Sequence, residues 1–261
     1  MERIQNLTIL KQINTISTSD KRCNKCNRIF FIKDEQEYCF HCEVVAKEDK
    51  KVSQEATRWV KNREVDELLT SFKEKSLMNK DLEEATLTSY LPKNESQRRA
   101  LIKANEYVDA FDKKQGLLLQ GSPGLGKSHL AASIVKEIIG KKNTGIFISL
   151  PRLMTELKAT YNKQSNLKEI DILTALQKVD LLVLDDLGVE IEGKKDDAAG
   201  WARGKVYEVI DSRIGMATIY TTNFTGRKLF EMYGERDFSR MVQYCTTLKI
   251  EGQNHRLKNF M

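Results

Sequence analysis

Glycine is missing from the first 115 residues of this 261-residue chain, although the whole chain holds 14. Turns that need a positive φ must be made there by another residue, asparagine foremost. Proline is scarcer still, with three in all, and neither breaker occurs between Glu43 and Leu91. A long stretch without breakers and dense in alternating charge reads as one or two exposed helices. Nowhere does an apolar run approach the ~18 uncharged residues that a membrane-spanning helix requires. Residues 1–20 are polar apart from Leu7–Leu10 and carry no small-residue cleavage pattern, so they read as a short helix or a loose leader. The chain is therefore expected to be cytoplasmic with no membrane partner, and it has no internal repeat.

What is present is ordinary in bulk and specific in detail. An apolar content of 40% supports one substantial core plus a small accessory module. The 43 basic and 37 acidic residues leave a net charge of +6, which permits a nucleic-acid partner without demanding one. Of five cysteines, four fall in two C-x-x-C pairs, Cys23/Cys26 and Cys39/Cys42, and Cys245 stands alone as a buried thiol. Without a secretion signal that grouping favours metal over disulfides. The twelve-residue gap between the pairs suits a four-thiolate tetrahedral Zn²⁺ site between two knuckles, with Ile29–Ile32 as one strand of the intervening hairpin. Asn27 is placed to supply the positive φ that a knuckle needs after its second cysteine. His41 can in principle replace one cysteine but is expected outside the ligand set. So small a module buries little core, and the metal would supply much of its folding free energy.

Val65, Leu68, Leu69 and Phe72 form an apolar stripe at helical spacing, which Trp59 and Val60 extend, and which packs on its own domain or docks a partner. Thr86–Tyr90 is more strand-like. Asn94 then opens a helix as its N-cap, with Gln97 at the third helical position. Beyond it strands and helices alternate, which predicts an α/β fold with a parallel sheet. The expected strands are Leu117–Gln120, Gly145–Leu150, Asp180–Asp185, Ala217–Thr222 and Thr246–Ile250. Expected helices include Leu130–Ile139, Leu153–Tyr161, Leu167–Gln177 and Gly204–Arg213.

The most specific signal is Gly121-Ser122-Pro123-Gly124-Leu125-Gly126-Lys127-Ser128-His129, a G-x-x-x-x-G-K-[ST] phosphate-binding loop between a strand and a helix. Its glycines let backbone N–H groups converge on a polyphosphate, Lys127 supplies charge to the β and γ phosphates, and Ser128 is a ligand for Mg²⁺. A second motif, Leu181–Asp186, is a buried strand ending in two carboxylates. Asp185 would hold Mg²⁺, and Asp186 would orient or deprotonate the attacking water, with Glu190 as a longer carboxylate nearby. Asn223, ending the fourth strand, either contacts that water and the γ-phosphate or caps the following turn. Arg240, expected at a helix start, can reach the γ-phosphate of a neighbouring subunit, with Arg236 as its rival. Arg256 follows the last strand and can sense the nucleotide in its own subunit.

These residues carry a resemblance. Gly116–Gly121 through Lys127–Ala132, Leu184–Glu190, Trp201, Thr221–Asn223 and Ser239–Met241 look like an AAA+ ATPase of the bacterial replicative helicase loader type (DnaC/DnaI). The resemblance covers about residues 82–261. It implies an AAA+ P-loop parallel sheet with flanking helices and no C-terminal lid, preceded by a zinc-binding and helical module at residues 1–81. It further implies ATP with Mg²⁺, Zn²⁺ in the module, self-assembly through the ATP site, a hexameric replicative DNA helicase held by the first half, and single-stranded DNA. The expected DNA-facing stretch offers Arg152, Lys158, Tyr161, Lys163 and Lys168. Aspartate in place of the usual glutamate at Asp186 implies slow hydrolysis. Two other functions fit the same core: a transposition helper ATPase of the IstB type, and a nucleotide-switched adaptor with little turnover.

Overall fold

A computed structural model describes residues 17–33, 36–57, 80–162 and 168–255, and the chain divides into two units, Met1–Lys61 and Asn62–Met261. The stripe from Trp59 to Phe72, together with Lys163 and Arg256, lies outside the described residues.

The first unit is built on a three-stranded antiparallel sheet, β1 (Ser17–Arg22), β2 (Ile29–Lys33) and β3 (Gln36–Tyr38). Residues 17–20, expected to be irregular, belong to β1. Their polar sequence has no apolar alternation, and the strand is held instead by pairing with β2 and by Ser19 and Lys21 bonding to Glu37. Asn27 takes φ 57°, the left-handed turn expected of it. A π-helical turn, His41–Val45, leads into α1, residues 46–57.

In the second unit α2 (Lys80–Glu83) precedes α3 (Glu95–Asp109), which Asn94 caps by accepting from the Gln97 N–H at 2.9 Å. Residues 87–89 form a turn, not a strand. Thr86 and Ser89 bond each other's backbone N–H through their hydroxyls at 3.0 Å, which closes the chain on itself. Five parallel strands follow: β4 (Gly116–Gln120), β5 (Gly145–Ser149), β6 (Leu181–Asp185), β7 (Thr218–Thr222) and β8 (Cys245–Lys249), in spatial order β5-β6-β7-β4-β8. Between them lie α4 (Lys127–Gly140), α5 (Leu150–Ala159), α6 (Glu169–Lys178), α7 (Asp196–Ser212), α8 (Gly226–Tyr233) and α9 (Glu235–Val242).

Strand alternation sorts the core into two layers. Leu118, Ile146, Ile148, Leu182, Leu184 and Tyr220 face α5 to α9, and Leu117, Leu119, Phe147, Leu181, Val183 and Ile219 face α3 and α4. All are under 5% exposed, so the strands read as continuous apolar runs, as strands covered on both faces should. Helix α7 begins two turns before the expected Gly204: two helical glycines cost only about 1 kcal/mol each, and Ala199, Ala202, Val206, Val209 and Ile210 bury one continuous face of it. Asp196 and Asp197 favour its first turn electrostatically. Arg240 lies in the last turn of α9, not at a helix start, because Gly234 opens the helix six residues earlier.

Candidate nucleotide-binding site

The loop after β4 wraps the start of α4 and floors a cleft of about 570 Å³, within the range of small-molecule sites. Gly124 and Gly126 take φ 74° and 83°, where side chains are strained. A Cβ on Gly126 would also stand 2.5 Å from the Tyr90 ring. The N-terminal N–H groups of α4 and its dipole favour an anion here. Lys127 is almost fully buried, and its amine donates to the carbonyls of Gly121 and Ser122 at 2.8 and 2.9 Å and to Asn223 Oδ1 at 2.8 Å. The structure thus brings Lys127, Ser128, Asp185, Asp186 and Asn223 to one cleft.

Strand order explains the meeting. Strand β7 lies between β4 and β6, so Asn223 just past its end stands between the loop and the two aspartates. Thr221 couples the neighbours: its hydroxyl donates to Asp185 Oδ1 at 2.5 Å and accepts from the Asp186 N–H at 3.0 Å. Burial pushes the Asp185 carboxyl up to about 6, with the Asp186 charge adding to the rise and the Thr221 and Ser128 hydroxyls opposing it. A divalent cation beside Ser128 and Asp185 would favour the ionised form. Asp186 adopts φ 61°, a conformation aspartate tolerates better than most residues.

Glu190, expected as a spare carboxylate, does not line the cleft. It is fully buried, with Oε2 accepting from the Gly188 N–H at 2.9 Å and Oε1 from the Tyr233 hydroxyl. It fastens the loop after β6 onto α8. Thr221 and the Thr86–Tyr90 turn are participants that residue patterns did not single out as cleft builders. His129 bonds the Thr86 carbonyl at 2.9 Å and Ser89 at 3.2 Å, and the Tyr90 hydroxyl donates to the Leu125 carbonyl at 3.2 Å. On the opposite side the His255 N–H donates to the Gly124 carbonyl at 3.1 Å.

Neither Arg236 nor Arg240 lines the cleft. Both guanidinium groups lie against the Tyr207 ring on α7, at 4.6 and 5.3 Å from its centre. In the stretch with the expected basic residues, Arg152 pairs with the buried Glu156 at 2.9 Å. Lys158 sits 5.0 Å from the Trp201 ring centre, and the Trp201 indole donates to the exposed Tyr161 hydroxyl at 3.2 Å. Lys168 precedes α6, its N–H donating to Asp171 at 2.9 Å.

In the first unit the sulfurs of Cys23, Cys26, Cys39 and Cys42 all lie within 4.8 Å of one another, with Cys26–Cys39 at 3.4 Å and Cys23–Cys42 at 3.9 Å. Four thiolates around one tetrahedral ion with bonds of about 2.3 Å would stand about 3.8 Å apart, so the set fits. The Lys25 and Cys26 N–H groups draw the Cys23 thiol down to about 7, whereas the crowding of neighbouring thiols and burial push Cys42 up to about 12 and raise Cys39, so a cation is what would let all four ionise. His41 stays outside the set, its Nδ1 buried without a hydrogen-bond partner. Cys245 donates to the Met241 carbonyl at 3.1 Å, and burial raises its thiol to about 12.

Comparison with known proteins gives this geometry a lineage. The replicative helicase loader DnaC of Escherichia coli (strain K12) is 32% identical over 156 residues, 59% of this chain and 61% of that protein. The chain therefore spans about three fifths of the curated relative's length. A crystal structure of the DnaC helicase loader is matched along 100% of its chain and 66% of this one, with a TM-score of 0.58 and 32% identity. A crystal structure of DnaI is matched with a TM-score of 0.55 at 24% identity, over 94% of its chain and 69% of this one, and shares the fold. The family described as IstB-like ATP binding protein (IstB_IS21) matches residues 41–261. On that match the chain belongs to the IstB-like ATP binding protein family, and within it carries the AAA+ core of the DnaC-type helicase loaders.

Proposed function

We propose that this protein is a cytoplasmic ATP-dependent loader that binds a hexameric replicative DNA helicase and delivers it onto single-stranded DNA. The observation that carries the reading is the convergence of Lys127, Ser128, Asp185, Asp186 and Asn223 on one cleft, in a core 32% identical to DnaC. In this reading the loop binds the phosphates of ATP, and Ser128 and Asp185 hold Mg²⁺, which screens the phosphate charge. Asp186 orients the attacking water, and Asn223 contacts that water and the γ-phosphate. Arg256 senses the nucleotide in its own subunit. Arg240, away from its own cleft, serves the cleft of a neighbouring copy, so that nucleotide controls assembly. The short carboxylate at Asp186 makes hydrolysis slow, and DNA stimulates it.

The domain division in this proposal is residues 1–81 for the helicase and 82–261 for ATP. Cys23, Cys26, Cys39 and Cys42 hold one Zn²⁺ that fixes the module which docks on the helicase. Lys158, Tyr161 and Trp201 combine a cation with aromatic faces, a chemistry suited to single-stranded DNA. The test is helicase loading onto a closed single-stranded circle, followed by strand displacement. Wild-type chain and ATP should raise displacement, and Lys127→Ala should not. Equal displacement with and without the protein rejects the loader reading.

The family match favours one other reading, a transposition helper of the IstB type. A marked preference for duplex over single-stranded DNA would select it. Retained assembly with ATP but no turnover, with or without DNA, would instead select a nucleotide-switched adaptor.

A further inference from the structure

Two residues on α7 and two on α9 face one another at the same spacing. Tyr207 and Asp211 lie four apart on α7, and Arg236 and Arg240 four apart on α9, so each pair occupies one helix face. The Tyr207 hydroxyl donates to Asp211 Oδ1 at 3.3 Å. Arg240 Nη1 donates to that same carboxylate oxygen and to the Tyr207 hydroxyl, with the guanidinium 5.3 Å from the Tyr207 ring centre. Arg236 lies 4.6 Å from the ring centre and gives its Nε to the buried Asp237 at 2.9 Å.

The division of labour on Arg240 is uneven. All its polar contacts run through Nη1, and among the described residues Nε and Nη2 donate to nothing. The side chain is 32% exposed, so this free edge can meet a partner molecule. An exposed pair such as Arg240–Asp211 contributes only ~0–1 kcal/mol to folding. Its larger effect is on geometry, because a long guanidinium side chain otherwise carries about 2 kcal/mol of rotamer entropy. Fixing one nitrogen in advance removes part of that cost from the step in which the others must meet charged oxygens.

We infer that Tyr207 and Asp211 are positioning residues for Arg240. They hold Nη1 so that Nε and Nη2 are presented to the γ-phosphate of a nucleotide bound by a second copy of the chain. Arg236 has the supporting part: its Nε is committed to Asp237, and its charge braces the Tyr207 ring. The inference rests on the proposed role of Arg240 in a shared site, and the experiment separates the two.

Lys127→Ala chains lack a working loop but keep Arg240, and Arg240→Ala chains are the reverse. Mixed in equal amounts with ATP and single-stranded DNA, they should hydrolyse faster than either alone. If they do not, the shared-site role of Arg240 fails. The Lys127→Ala partner is then replaced by Lys127→Ala/Asp211→Asn or Lys127→Ala/Tyr207→Phe. Rescue should fall about tenfold in kcat with KM for ATP unchanged, because the contact is made in the transition state. Full rescue by both double variants overturns the positioning inference and leaves the shared site intact. Lys127→Ala/Asp211→Glu should recover most of the lost kcat. A merely structural role would instead lower Tm and raise KM at constant kcat, and that result also overturns the inference.

Discussion

Asp185→Asn should cost the protein its hydrolysis and make it more stable. The buried carboxyl is pushed up to about 6. Relative to an ordinary aspartate near 4, that gap amounts to about 3 kcal/mol against keeping the group ionised at pH 7. Asparagine keeps an oxygen for the Thr221 hydroxyl but needs an acceptor for its amide, and it loses attraction to Lys127. A net gain of about 1–2 kcal/mol is left. The pH dependence is the sharper signature. Between about pH 4 and 6 the folded state holds more protons than the unfolded state, so the stability contributed by this group falls as pH rises through that window. The variant lacks the effect, so its advantage over wild type should be complete above about pH 6.5, cross zero near pH 5 and reverse by about 1–2 kcal/mol near pH 4. Urea unfolding of both full-length chains, followed by circular dichroism at several pH values, measures the gap. Glu190, also raised by burial, is common to both proteins and cancels. A variant less stable than wild type at pH 7, or a gap that does not change with pH, would refute the reasoning.

Mg²⁺-dependent binding of ATP should weaken about tenfold per pH unit below about pH 6, as Asp185 protonates, while Mg²⁺-free binding stays flat; titration with a fluorescent ATP analogue follows both. Gly126→Ala meets a φ of 83° and the Tyr90 ring 2.5 Å away, and should weaken ATP at least about tenfold. Unchanged affinity would mean that the loop conformation is not what binds. Arg213 is 3% exposed, and donates to the Leu176, Val179 and Ala217 carbonyls and to Thr218 at 2.6–3.0 Å. Arg213→Met should destabilise the fold by about 3 kcal/mol in urea unfolding, and a loss under about 1 kcal/mol would contradict that. Metal analysis should find one zinc per chain, absent from Cys23→Ser, whereas a folded wild type without metal would remove the four-thiolate site.

The chemistry legible in the sequence was the chemistry that is local in the chain. The phosphate loop, the cysteine pairs with Asn27, and the Asn94 cap each depend on spacings of a few residues, so neighbouring letters suffice to read them. Strands β4 to β7 were legible as well, because two-sided burial writes them as apolar runs. What escaped was decided across the fold. Glu190 reads as a catalytic spare until Tyr233, 43 positions later, is found to occupy it. Helix α7 runs through Gly200 to Asp196 because burial of Ala199 and Ala202 outweighs the glycine cost, and that burial is decided by packing. Residues 86–90 imitate a strand because Thr86, Thr88 and Tyr90 suit strands, and only the hydroxyl bonds around the turn at 87–89 reveal the difference. Arg240 is legible as a candidate, but its surroundings on α7 come only from packing.

Strand β7 carries a constraint of a different kind. Its neighbours are in fixed register, Leu119 beside Thr221 and Leu184 beside Tyr220, so Thr221 and Asn223 reach the cleft only if β7 starts where it does. Sliding it by one residue would turn Thr221 to the other face of the sheet and carry Asn223 away from Lys127. The start of β7 is fixed by the short connection from α7, where Gly215 takes φ 76° and Arg213 binds the Ala217 carbonyl and Thr218. A single inserted or deleted residue at positions 213–217 should therefore silence the protein although no cleft residue is substituted. The length of that connection specifies the cleft as much as the letters of the phosphate loop do, although a comparison of site residues alone would not show it.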